Sequence, residues 1–159
     1  MAWNLELACV RVSAGATLQQ VVPDVFSPTG EHLSFEEATS VARGLDLCAT
    51  LLGEWAVLID VACRLSAAVP WLKEVSVGRD VYVFRIADVP AAVHYREGKA
   101  AAKHDGLVAC LRALGRSKPE RGEHVDGEEI ACDLLRARTG LEFPGAFWKA
   151  QFVVFTTTL

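Results

Sequence analysis

No two cysteines of this 159-residue chain form a CxxC pair. Cys9, Cys48, Cys63, Cys110 and Cys132 each sit alone in an apolar segment, and their number is odd. A disulfide framework is not expected from that spacing, which is how buried free thiols in a reducing compartment look. Long basic runs are missing too. No lysine and arginine cluster exceeds two or three residues, and no arginine stripe alternates with aromatics. A nucleic-acid partner is therefore not expected, because a phosphate-backbone binder needs a concentrated positive field to release counterions. Long apolar runs are absent as well: the longest, Trp55 to Cys63, is interrupted by Asp60 and is far too short to cross a bilayer. The first residues, Met1 to Glu6, lack a basic stretch followed by an apolar one, so neither a signal peptide nor a membrane role is expected. The cytoplasm is the expected setting.

Catalytic signatures are equally scarce. His32, His94, His104 and His124 make no HExxH or HxH arrangement, and no pair of them stands four apart. Cys132 with His124 falls short of the four ligands of a structural zinc site. No GxGxxG or Walker-type loop offers a cradle for phosphates. No metal, cofactor or catalytic residue is expected on these grounds, and the chain reads as a non-enzyme. Two weaker arrangements remain. His104-Asp105 beside Lys103 has the elements of a base with an orienting carboxylate, but Asp105 reads better as a helix cap and His104 as the end of a strand. Cys110 and Cys132 fall on apolar helix faces, where thiols behave as small hydrophobes.

What is present is ordinary globular material. Hydrophobic residues make up 52% and charged residues 23%, with a formal net charge of −4. A chain of this length buries roughly 70% of its unfolded surface, so it needs no covalent or metal staple. Residues 1–159 read as a single α+β domain. Leu5 to Val12 alternates and predicts a half-buried first strand. Thr17 to Val22 is one or two helical turns, and Ser27-Pro28-Thr29-Gly30 a turn. Ser34-Phe35-Glu36-Glu37 is a capping box. The spacing of Phe35, Ala38, Ala42, Leu45, Ala49 and Leu52 then predicts one helix that Gly53 caps.

Further along, Trp55 to Ala62 predicts a strand buried on both faces. Glu74 to Val77 and Val81 to Ile86 read as two more, paired as a hairpin or joined through a bulge at Gly78. Arg96-Glu97-Gly98 is a hairpin turn. Asp105 is placed to cap a helix from Leu107 to Leu114. A polar loop, Arg116 to Val125, follows. Asp126-Gly127-Glu128-Glu129 starts a second helix that runs to Gly140, with Arg136 and Arg138 complementing its dipole. Phe147 to Phe155 reads as a short helix and a last strand. The order predicts an antiparallel central sheet with helices packed mainly on one face.

Two groups of residues are candidates for contacting a partner. Glu120, Glu123, Asp126 and Glu128 gather, with Glu129 and Asp133, around the start of the last helix, where they can steer a basic partner. Acidic residues there also answer the helix dipole. Of the tryptophans, Trp55 reads as core, whereas Trp71 and Trp148 read either as core or as exposed anchors, the kind of residue that dominates interface energetics.

Taken in order, Gly53-Glu54-Trp55-Ala56-Val57-Leu58-Ile59, Val75-Ser76-Val77, Val93-His94-Tyr95-Arg96-Glu97-Gly98-Lys99 and Gly127 to Leu141 resemble a family of small bacterial proteins of unknown function. Members of that family are similar to immunity proteins of polymorphic toxin systems. The likeness runs from about Leu5 to Phe143, and this chain departs from it in a longer segment before Ser34. The resemblance implies a small acidic cytoplasmic protein that binds a cognate toxin, or another protein partner, and neutralises it by occlusion. It implies no catalytic residue and leaves the oligomeric state open. The alternative is an enzyme or small-ligand-binding domain whose site is assembled from distant residues such as Asp60, His94 and His104.

Overall fold

The computed structural model describes residues 3–157. Eight strands form one antiparallel sheet: β1 (Leu5–Arg11), β2 (Phe26–Leu33), β3 (Asp46–Leu52), β4 (Trp55–Asp60), β5 (Asp80–Ile86), β6 (Ala91–Arg96), β7 (Lys99–Asp105) and β8 (Phe152–Thr157). Their spatial order is β2-β8-β3-β4-β1-β5-β6-β7. Four α-helices accompany them: α1 (Phe35–Ala38), α2 (Val69–Val75), α3 (Leu107–Ala113) and α4 (Gly127–Thr139). The expected α+β class and antiparallel sheet are both present.

The expected helix from Ser34 to Gly53 is not. Its capping box forms, with the Ser34 hydroxyl accepting from the Glu37 amide, yet α1 lasts a single turn. The chain then enters β3, and Gly53 closes a two-residue hairpin between the paired Leu52 and Trp55 rather than capping a helix. Its φ of +59° is the left-handed conformation that a helix cap and a tight hairpin both require, so a glycine here fits either element. The strand wins because Leu47, Cys48 and Ala49 become buried between β4 and β8, whereas a helix presents one stripe to one neighbour.

Glu74 to Val77 corrects in the opposite sense. It completes α2 and the turn after it, not a strand. Pro70 lies in the first turn of α2, where a missing N–H costs nothing. Ser27 to Gly30 is not a free turn but part of β2, whose pairing to β8 slips between Pro28 and His32. Asp105 ends β7, and Gly106 at φ +88° takes the cap of α3. The central strands, Arg96-Glu97-Gly98 hairpin, α4 with its Asp126 cap, and the final helix-and-strand tail stand where the sequence puts them.

Alternation along the strands divides the core in two. Leu5, Leu7 and Cys9 of β1, Trp55, Val57 and Ile59 of β4, and Phe84 and Ile86 of β5 join one apolar cluster. Phe35 of α1, Cys110 and Leu111 of α3, Ile130, Leu134 and Leu135 of α4, Phe143 and Phe147 complete it. Ala8, Val10, Ala56, Leu58, Val81 and Val83 point the other way, into a cluster with Val21, Val22, Leu65 and Leu72 of α2. β1 is consequently buried along both sides, not half-buried. Each Leu or Phe so enclosed contributes about 1.5–3 kcal/mol of transfer free energy, which is why a chain without disulfides can hold this sheet.

Candidate functional site

The acidic residues around α4 have local work. The Asp126 carboxylate accepts from the Glu128 amide at 3.0 Å and caps the helix, and Glu123 accepts from the Glu120 amide at 3.0 Å, closing the loop. Glu128 accepts the backbone amide of Trp3. Glu120 alone of the four has an exposed carboxylate without a hydrogen-bond partner among the described residues. Lys118 and Arg116 line the same shallow hollow as Glu120 and Glu123, so the loop is mixed in charge rather than uniformly acidic.

Trp148 stands close by through a relay of rings. Trp3, anchored on Glu128, lies 5.8 Å from Phe35 and 5.2 Å from Phe143, and Phe35 meets Trp148 edge-on at 5.1 Å and 77°. Trp148 is thus held on one side by Phe35 while 47% of it remains open to solvent. Trp71 is elsewhere. Its ring packs against the α2 cluster on the opposite side of the sheet, and its Nε1–H donates to the Val21 carbonyl at 2.9 Å. It is the wall of a hollow of about 450 Å³ between α2 and the Gln20–Val25 segment. The two tryptophans do not share a surface.

The histidines make a smaller feature. His94 and His104 border a cleft of about 50 Å³ together with Tyr82 and Arg138, room for a water or two but for no organic ligand. His94 stacks on Tyr82 at 4.3 Å and its Nε2 lies 2.8 Å from Asp80. Arg96 reaches the other oxygen of Asp80 at 2.9 Å. Burial opposes the charge of Asp80, but His94 and Arg96 outweigh it and hold the carboxyl below its usual range. Every resolved thiol is pushed the other way. Burial raises Cys48 to about 12 and Cys110 and Cys132 to about 11, and raises Cys9 and the part-exposed Cys63 as well. A thiol so shifted is a poor nucleophile at neutral pH. Among the described residues no group of three or more His, Cys, Asp or Glu is placed to hold a metal ion.

The polar group that sequence reasoning missed is Glu6. It pairs across the sheet with Asp60 on one side and Arg85 on the other. Both carboxylates are buried, at 1% and 0% exposure. Asp60 takes the backbone amides of Ala62 and Arg64 and the Arg64 guanidinium, fixing the turn after β4. Glu6 takes the Ser66 amide at 2.9 Å, the Ser66 hydroxyl at 2.5 Å and Arg85 Nη2 at 2.9 Å. Leu5-Glu6-Leu7 signals only a strand with one polar side, and that side turns out to be covered.

Comparison with known proteins returned no matching family model, no matching curated protein and no matching solved structure. No helix among the described residues is long and apolar enough to cross a membrane.

Proposed function

We propose that the chain is a non-enzymatic protein-binding domain of the cytoplasm that seats one partner on the surface around Trp148. On this reading it acts as an immunity protein, neutralising a cognate toxin by occluding it. The observation that carries the reading is Trp148, held edge-on by Phe35 yet 47% exposed. A large aromatic already fixed in position loses little entropy on docking, and such residues dominate interface energetics. Glu120 and the net charge of −4 favour a basic partner by steering its approach. The carboxylates that serve as caps and loop closures, and the raised thiols, leave little polar chemistry for catalysis.

The test is co-expression with the product of the adjacent gene, followed by size exclusion. A stable complex is expected. Trp148→Ala should weaken it about 30-fold or more, the effect of losing an interface anchor of about 2 kcal/mol, while the free protein stays folded with a midpoint lowered only by the lost Phe35 contact. No complex, or a complex indifferent to Trp148→Ala, overturns the proposal.

A second reading, a small-ligand domain built from distant residues, is favoured by one observation: the Glu6–Arg85 pair lines a cavity of about 460 Å³.

A further inference from the structure

We infer that this cavity binds a small monocarboxylate with a short apolar body, Arg85 and Lys103 taking the carboxylate. The inference rests on the small-ligand reading and is independent of the Trp148 surface, which lies across the sheet. The hollow opens over β5, β6 and β7, beside the Leu65–Ala67 turn and the start of α2. Its volume of about 460 Å³ falls within the roughly 300–1,000 Å³ that small-molecule sites occupy. Val69, Val83, Val93 and Tyr95 provide apolar walls, and Ala91 and Ala100 are the small residues that leave the space open.

Arg85 is what distinguishes the hollow from a packing defect. Glu6, out of solvent in a central strand, holds Arg85 by Nη2 at 2.9 Å and is itself held by two bonds from Ser66. The guanidinium is therefore fixed from behind. The side chain stays 39% exposed with the Cys63 thiol beside it. Nε is removed from water, so it is the Nη1 side, which makes no hydrogen bond to oxygen among the described residues, that can meet a ligand. An arginine held by one edge with donors to spare matches a planar, two-oxygen acceptor. Lys103 stands on the adjoining wall, its side chain 70% exposed and its Nζ 4.0 Å from Asp105.

Charge selects within that class. Arg85 and Lys103 are each already paired with a carboxylate, Glu6 and Asp105, so any anion meets some repulsion there and a singly charged one meets the least. A phosphate dianion would meet repulsion from Glu6 and Asp105 at close range. The apolar walls favour a few carbons of hydrocarbon over a polar body.

The experiment is an amide NMR titration of the labelled full chain with butyrate and benzoate, against butyramide as the neutral isostere and inorganic phosphate. Saturable shifts at Val83, Val93 and Ala100 are expected with the carboxylates and not with butyramide. Lys103→Met, at an exposed side chain, should weaken binding about tenfold, the loss of one charge-assisted contact. Glu6→Gln with Arg85→Gln, which removes the buried carboxylate and its cation together, should abolish it, with a dispersed spectrum showing that the fold persists. Absence of carboxylate shifts, equal shifts with butyramide, tighter binding of phosphate, or indifference to Lys103→Met overturns the inference. The Trp148 complex is assayed separately, so each proposal fails alone.

Discussion

Ionisable side chains in this protein are organised by burial more than by one another. All five thiols lie above their ordinary titration range because water is kept from them. Alkylation of the native protein at pH 7.5 should accordingly be slow at every cysteine, and all should react once denaturant is added. Mass spectrometry with a timed iodoacetamide quench checks this, and a single fast native site would contradict it. Asp80 goes the opposite way: its folded carboxyl is held low by His94 and Arg96. A group of that kind stabilises the fold above its unfolded pKa, and the contribution fades as pH falls through the folded value. Asp80→Asn should flatten the acid limb of a stability-against-pH curve while leaving the neutral region less stable than wild type. The unpaired thiols in apolar segments are legible in the sequence, whereas the Asp80 site is not. Asp80 sat in a polar Gly-Arg-Asp spacer, and His94 was fourteen positions away, so only the hairpin register brings them to 2.8 Å.

At the level of elements, the signals that could be read were local and those that misled were periodic. The caps at Ser34 and Asp126, and the Glu97-Gly98 turn, depend on a few neighbouring atoms and formed as read. The apolar spacing from Phe35 to Leu52 fits a helix, yet only Phe35 and Ala38 are helical, and from Asp46 the chain becomes a strand because the sheet offers β3 two neighbours. Glu74 to Val77 failed for the converse reason, since β-rich composition says nothing of the turn that Pro70 initiates. Gly127 shows what remains hidden at this scale. Helix propensity predicts that Ala there would help by up to about 1 kcal/mol. In the structure, however, an added Cβ would lie 2.0 Å from the Asp88 carbonyl oxygen and 3.0 Å from that of Ala87. Gly127→Ala should therefore cost roughly 1–3 kcal/mol, as overpacking does. Gly145→Ala, with nothing within 4 Å of the added carbon, is the neutral control. Urea denaturation of both decides the sign.

The molecule as a whole is a sheet assembled out of chain order. β5, β6 and β7 follow one another as a meander, and β3 and β4 as a hairpin, but β8 slots between β2 and β3. The two edges are guarded in different ways. β2 carries Pro28 and a register slip, and β7 carries the exposed Lys99 and Lys103, both of which discourage another strand from adding on. β8 has a further effect. It supplies Phe152, Val154 and Phe155, all buried, and among the described residues it is the only strand to which β2 is bonded. While the ribosome is still working through the preceding residues, β2 has no mate and β3 shows a bare flank. The nascent polypeptide must wait with that slot open, and a chaperone that recognises extended apolar segments would find its target there. A version ending at Ala150 should stay soluble only with such help, and a ribosome-release or pulse-proteolysis assay would register completion when β8 emerges and not before.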